Sequence, residues 1–268
     1  MKLSVSNIAW GKDKLNDFLY ILKDKGCDGI EIAPSLIWDE PINSSKSERQ
    51  SLKKDIDKSG LELVGFHSLL FSRPDLLLFK NDETRKKTLR YIKDLISLCS
   101  DLGGKKLIFG SPRNRTRQNK HYDTCLNQVY EDFAILAEYS KNKDIYFCVE
   151  PLGENYSDFI VSMSEGGEIV KKINHTHFKL HLDTKTIFYT QENSENIMKK
   201  YGDLIEHVHV SDENLNAPGS VNQGKEHLLI SKALKNINYK KFISIEMRKK
   251  NIDSLINSID FIKETYTS

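Results

Sequence analysis

Phe178-Lys179-Leu180-His181-Leu182-Asp183 alternates apolar and polar side chains and ends on a carboxylate. A period of two belongs to a strand, because successive side chains on an extended backbone point to opposite faces. Leu180 and Leu182 share one face; Lys179, His181 and Asp183 share the other. Later stretches repeat the pattern. In Ile205-Glu206-His207-Val208-His209-Val210-Ser211, Val208 and Val210 oppose His207, His209 and Ser211. In Phe242-Ile243-Ser244-Ile245-Glu246-Met247, Ile243 and Ile245 oppose Ser244 and Glu246, and Arg248 falls next on the polar face. Upstream, Ile145–Glu150 sets Phe147 and Val149 against Cys148 and Glu150. Strands with one face for helices and one polar face turned inward are what a barrel wall with a polar interior requires.

Working outward, strand-like runs recur at Lys2–Ser6, Gly29–Ala33, Leu61–His67 and Lys106–Gly110, which brings the set to eight. Helical spacing fills the gaps. Leu89, Ile92, Ile96 and Cys99 form one face, Tyr122, Leu126, Val129, Phe133 and Leu136 another, and Ile252, Leu255, Ile256, Ile259 and Ile262 the last. Asn81 or Asp82 can cap the helix that Gly103-Gly104 ends, and Gly26 and Gly60 also stand between a helix and a strand. Such alternation admits a closed barrel or an open doubly wound sheet. The first strand runs into Asn7-Ile8-Ala9-Trp10-Gly11, and the chain carries neither G-x-G-x-x-G nor a P-loop. The expected fold is therefore α/β, a single (β/α)8 TIM barrel over residues 1–268, close to the roughly 250 residues such a barrel takes.

Charged residues make up 29 % of the chain, hydrophobic ones 38 %, and the net charge is +2. That balance gives no bulk electrostatic case for nucleic acid or membrane partners. Cys27, Cys99, Cys125 and Cys148 are far apart and form no C-x-x-C pair, so they read as buried free thiols in a reducing cytosol rather than a zinc ribbon or redox motif. Met1–Trp10 lacks a secretory apolar core, and no apolar run approaches the ~20 residues of a membrane span. A soluble cytoplasmic protein is the expectation.

A barrel places its chemistry at the C-terminal ends of its strands. Six of the eight ends here carry such groups: Glu31, His67, Glu150, Asp183, His209 and Glu246. The last four lie at consecutive strand ends with matching parity. Three buried carboxylates packed together would repel, and one divalent cation removes that penalty. The oxygen and nitrogen donors suit Mn²⁺, Mg²⁺, Co²⁺ or Zn²⁺, and the absence of thiolate disfavours a structural zinc site. The bland alternative is a set of ion pairs, Glu246 with Arg248 or Glu150 with Lys179. His181 and His207, one pleat deeper, read as core hydrogen-bonding groups.

The segments Gly26-Cys27-Asp28-Gly29-Ile30-Glu31-Ile32, Val149-Glu150-Pro151, His181-Leu182-Asp183-Thr184, His207-Val208-His209-Val210-Ser211 and Ser244-Ile245-Glu246-Met247 run in order along the chain. As an ordered set they resemble the xylose isomerase-like TIM barrel superfamily, which includes ketose 3-epimerases, hydroxypyruvate isomerase and endonuclease IV. The branch it resembles most is that of sugar phosphate isomerase/epimerase proteins, through Ser6-Asn7-Ile8-Ala9-Trp10, Phe71-Ser72-Arg73-Pro74-Asp75-Leu76, Phe109-Gly110-Ser111-Pro112-Arg113-Asn114-Arg115 and Ala217-Pro218-Gly219. The resemblance implies Glu150, Asp183, His209 and Glu246 as ligands of one divalent metal ion, with Glu150 and Glu246 also moving the proton. It departs from the ketose epimerases at three places. Thr186 stands where they carry a histidine, Leu215 where they carry an arginine, and Tyr156, with Glu154 near, where they carry a second glutamate.

The expected activity is a metal-dependent sugar isomerase or epimerase, acting on a free or phosphorylated sugar by proton transfer through a metal-stabilised enediolate. His67, Arg113, Arg115, Arg248 and Glu31 are the expected substrate-binding residues, with Glu31 open to simply orienting a ligand instead. Arg113 and Arg115 follow the fourth strand in a loop that overlooks the barrel mouth, and an arginine fork suits phosphate or carboxylate; Arg117 and Lys120 continue the basic run, so a solvated loop is the alternative. A lyase or dehydratase using the same metal and base is the rival reading. An endonuclease-like phosphodiesterase is poorly furnished, since the fourth strand ends without histidine and Asp183 lacks a D-x-x-H partner. A complete ligand set argues against a mere binding protein. Related barrels are often dimers or tetramers, so a homo-oligomer is implied by resemblance, though no interface is legible.

Overall fold

The structure, a computed structural model, describes residues 1–221 and 224–267. Eight parallel strands close into a barrel in chain order. They are β1 (Lys2–Ser6), β2 (Gly29–Ile32), β3 (Glu62–Phe66), β4 (Lys106–Phe109), β5 (Tyr146–Val149), β6 (Phe178–Asp183), β7 (Ile205–Val210) and β8 (Phe242–Ile245). Closure is made by β8 on β1, from Lys2 opposite Phe242 to Val5 opposite Ile245. The expected (β/α)8 barrel is what forms. Glu150 and Glu246 stand one residue beyond their strands, where the chain turns over the rim. They remain tied to the wall, since Glu150 N donates to Phe109 O at 3.1 Å and Glu246 N to Val210 O at 3.0 Å.

The helices form for local reasons that the sequence carries. Between β2 and β3, α2 (Lys46–Ser59; α1 is Leu15–Asp24) starts with a reciprocal cap between Ser45 and Glu48 and stops at Gly60, whose φ of 71° suits glycine. Asn81 Oδ1 accepts from Thr84 N at 2.8 Å and starts α3 (Asp82–Asp101). Then come α4 (Tyr122–Lys141) and α5 (Met163–Ile173). The β6–β7 crossover holds two helices rather than one. Here α6 (Thr184–Thr190) ends at Gln191, with φ 52°, and Asn193 caps α7 (Ser194–Tyr201). After β7 comes α8 (Gly224–Asn236), and after β8 comes α9 (Ile252–Ile262), capped by Asn251. No helix among the described residues is long and apolar enough to cross a membrane.

Between wall and helices lies the apolar layer. Phe109, Phe133, Phe147 and Phe178, all fully buried, pack with ring centroids 5.5–5.9 Å apart. Each such aromatic pair adds about 0.5–1.5 kcal/mol beyond the area it buries. Inside the wall the side chains are polar: Ser4, Ser6, Glu31, His181, His207, His209 and Ser244 are all fully buried. Two irregularities tune this interior. From Ile30 opposite Leu63 the register steps to Glu31 opposite Gly65, and from Leu180 opposite Ile205 to His181 opposite His207, so β3 and β7 each carry one extra residue. Bulges of this kind re-aim the residues beside them. The extra residue on β7 is Glu206, which pairs with Lys241 at 2.6 Å and faces Lys106 at 3.7 Å at the floor of the barrel. Gly65 is required by proximity alone: a Cβ there would stand 2.1 Å from the carbonyl oxygen of Lys106.

Candidate metal centre

Register alone brings the first two groups together, since Asp183 lies opposite His209 across the β6–β7 ladder. Glu150 and Glu246 reach in from the flanking strands β5 and β8. The four side chains offer donor atoms that all lie within 4.8 Å of one another, and all four residues are buried. Asp183 and His209 are fully buried, whereas Glu150 and Glu246 keep 7 % and 8 % exposure. The aspartate and histidine therefore form the floor of the cluster, and the two glutamates line its mouth.

Partners behind the floor fix its orientation. His209 Nε2 lies 2.9 Å from Glu31 Oε2, which leaves Nδ1 turned toward Glu246 Oε2 at 3.4 Å and Glu150 Oε1 at 3.7 Å. A histidine whose outer nitrogen is held by a carboxylate presents the lone pair of the other to a cation. Both His209 Nδ1 and Glu150 Oε1 are buried without a hydrogen-bond partner. Buried polar atoms left unpaired are costly. Two of them facing one point, beside two further carboxylates and no thiolate, fit a divalent cation of the oxygen- and nitrogen-preferring kind.

The charges follow from this packing. Burial works against ionisation of Glu31, but His209, His207 and His67 outweigh it and hold its carboxyl well below the usual range. Burial likewise opposes the charge on Glu246, and Lys185 with His209 overcomes it, so that this carboxyl also lies well below the usual range. Without a cation in the cage, Glu31 and Glu246 hold His209 well above the ordinary histidine value, against its burial, so a metal ion that takes the Nδ1 lone pair would release a proton there. Its neighbours go the other way. Burial pushes His207 down to about 4 and His181 well below its ordinary value. These two neutral rings lie one pleat deeper in the barrel.

Lys185 enters the site unannounced by the strand pattern. It belongs to the first turn of α6, two residues past Asp183, and is only 6 % exposed. Its ammonium contacts Asp183 Oδ2 and lies 3.2 Å from Glu246 Oε2 and 3.7 Å from Glu150 Oε1. Burial disfavours its charge, but Glu246 and Glu150 raise its pKa above the ordinary lysine value. The legible signal was Asp183-Thr184-Lys185 itself. An aspartate that caps a helix, its Oδ1 accepting from Lys185 N at 2.9 Å, brings the side chain two residues on back toward its own carboxylate.

Several residues expected at the substrate are spent elsewhere. Arg115 is a correction: it is fully buried, its Nη1 donating to Glu150 O at 2.7 Å and its Nη2 to Ile160 O at 3.1 Å. It props the loop after β5 from beneath. Glu31 is fully buried behind His209, out of a sugar's reach. His67 has both ring nitrogens engaged, Nε2 with Ser6 Oγ at 2.5 Å and Nδ1 with Glu246 Oε1 at 3.2 Å, so it orients Glu246. Arg113 and Arg248 are exposed. Arg73, another arginine near the mouth, is clamped by Asp75 through two hydrogen bonds of 2.8 and 2.7 Å.

At the three departures from the ketose epimerases the chain builds something else. Thr186 Oγ1 donates to Pro151 O at 2.8 Å and ties the first turn of α6 to the loop after β5. Leu215 takes a positive φ of 57°, and its carbonyl accepts from Arg248 N at 2.8 Å. Tyr156 OH meets Tyr189 OH at 3.1 Å, and Tyr189 OH donates to Asn214 Oδ1 at 3.0 Å. The loop after β5, helix α6 and the loop after β7 are thereby joined through two phenols and one amide.

The family profile described as xylose isomerase-like TIM barrel matches residues 19–265. The chain belongs to that family. It is 24 % identical over 262 residues to a "Probable ketose 3-epimerase" of Synechocystis sp. PCC 6803, covering 92 % of this chain and 84 % of that one. It is 22 % identical over 248 residues to a D-psicose 3-epimerase of Enterocloster bolteae, covering 89 % and 79 %. A crystal structure of a D-psicose 3-epimerase in the presence of D-fructose superposes with a TM-score of 0.83 over 100 % of both chains at 17 % identity. The 3-keto-D-glucoside 4-epimerase of E. coli, in its apo form, does so with 0.81 over 100 % of both chains at 19 % identity. These two structures share the barrel fold with this chain.

Proposed function

We propose that this xylose isomerase-like barrel is a sugar epimerase or isomerase that holds one divalent metal ion on Glu150, Asp183, His209 and Glu246. The observation that carries the reading is the tetrad with two carboxylates at its mouth, one from β5 and one from β8. When bound, the cation supplies Lewis acidity toward a sugar carbonyl and makes the neighbouring C–H more acidic. Glu246, kept ionised in its buried setting, is the base that takes the proton, and Glu150 across the mouth is the group that returns it. His67 and Ser6 hold Glu246 in place from behind. Arg113 and Arg248, exposed on the loops after β4 and β8, are the groups available to grip a polar substrate. The curated relatives named as ketose 3-epimerases support proton transfer beside a ketose carbonyl.

The test is solvent deuterium exchange on D-psicose, D-fructose, D-tagatose and their phosphates, with wild type and Glu246→Gln in Mn²⁺. Wild type should exchange one carbon-bound proton of at least one sugar, and the variant should lose roughly 10²–10⁴-fold of that rate, the usual worth of a general base. Equal exchange rates in the two proteins would remove Glu246 from the chemistry. Elimination of water or phosphate instead of exchange would make the protein a lyase.

A further inference from the structure

The carboxylates assigned to the metal already face a cation of the chain's own. Lys185 Nζ contacts Asp183 Oδ2 and stands 3.2 and 3.7 Å from Glu246 and Glu150, three of the four side chains assigned to the metal. An ammonium and a divalent ion cannot occupy the same ring of carboxylates. We infer that Lys185 is a tethered cation that fills the cage in the metal-free protein and must be displaced toward the mouth when a metal ion enters.

Three features support this. Metal-free, the cage would crowd three carboxylates in a buried space, and one ammonium relieves part of that repulsion at no cost in translational entropy, because it is held on its own chain. Lysine suits the role better than arginine would: it is a compact point charge on a flexible four-carbon stem, with no planar fork to lock it to one carboxylate. Lys185 also lies on the solvent side of the cage, where it shares the little exposure left at the site with Glu150 and Glu246, at 6, 7 and 8 %, while Asp183 and His209 have none. The tether has two consequences. It keeps the empty site folded, and it weakens the apparent affinity for metal, because each binding event must expel an ammonium and leave it nearby. The inference rests on the tetrad being the metal site.

The experiment measures metal binding and stability rather than turnover. Wild type, Lys185→Met and Lys185→Gln are stripped with EDTA and titrated with Mn²⁺ by calorimetry, and each is melted with and without the ion. Loss of the tethered charge should tighten Mn²⁺ binding at least tenfold in both variants. It should also lower the melting temperature in EDTA and enlarge the rise produced by Mn²⁺. Glutamine keeps a polar head, so it covers the case in which methionine fails to fold. Affinities within twofold of wild type, with equal melting shifts, would overturn the inference and leave the metal site standing. Absence of Mn²⁺ binding in all three proteins would overturn the metal reading, and this inference with it.

Discussion

Replacing Gly110 by alanine sets a methyl group against the Glu150 carboxylate. A Cβ built on Gly110 stands 2.1 Å from Glu150 Oε2 and 3.1 Å from its Cδ. To reach ordinary contact the carboxylate oxygen must retreat by more than about 1 Å, and displacements of about 1 Å at a reacting group already cost on the order of 10²-fold in rate. The obstructing atom is the end of a flexible side chain rather than backbone, so the fold gives way easily; overpacking of this kind costs roughly 1–3 kcal/mol at most. Gly110→Ala should therefore separate stability from site chemistry. Its circular dichroism should match wild type, while calorimetric Mn²⁺ affinity falls about 10–100-fold, as when a ligand loses its orientation. A well-folded Gly110→Ala chain with wild-type affinity would show that Glu150 does not bind the ion.

Three further outcomes follow from the packing. Arg115→Met should leave the carbonyls of Glu150 and Ile160 without the guanidinium donor, at roughly 1–3 kcal/mol each; a lowered urea midpoint is expected, whereas unchanged stability with a raised KM would return Arg115 to substrate binding. Glu31→Gln should release His209 from its carboxylate and weaken Mn²⁺ binding by about 10–100-fold without touching the ion, and equal affinity would dismiss the orienting role. Burial pushes the thiols of Cys27 and Cys99 up from 9.0 to about 12. Below pH 9 both are protonated in folded and unfolded chains alike. Between pH 9 and about 12 only the unfolded chain loses those protons, so stability should fall as pH rises through that window. The urea midpoint followed across it should decline less steeply in a Cys27→Ala/Cys99→Ala chain, and an equal decline would exclude these thiols as the cause.

The strands were legible because their inner and outer faces differ in chemistry. Leu180 and Leu182 against His181 and Asp183 define a face without reference to any partner, and β5, β7 and β8 repeat it. The meeting of Glu150, Asp183, His209 and Glu246 follows from the same period, since side chains of one parity at the ends of neighbouring strands converge. Two bulges could have broken that reasoning, but each adds its extra residue, Val64 or Glu206, below the strand ends. What escaped the sequence depends on the path of a loop. Arg113 and Arg115 sit two residues apart in one short turn, yet one is exposed and the other fully buried. Only the fold of the β5 loop, with Glu150 O and Ile160 O facing inward, decides which is which. Lys185 was hidden for a related reason. It lies outside the strand, where a period of two no longer applies, and it returns to the site through the first turn of α6. Glu31 and His67 were found at the right strand ends, but whether Glu31 meets a sugar or orients a ligand, and that His67 turns to Glu246, depends on depth along the barrel axis, which is not written in a pattern of alternation.

The most direct measurement is anomalous diffraction from crystals grown with Mn²⁺. One strong peak within bonding distance of Glu150, Asp183, His209 and Glu246 is expected, with Lys185 Nζ moved out of the cage. No peak there, or a peak held by other residues while these four side chains remain bound only to one another and to Lys185, would contradict the metal-dependent mechanism.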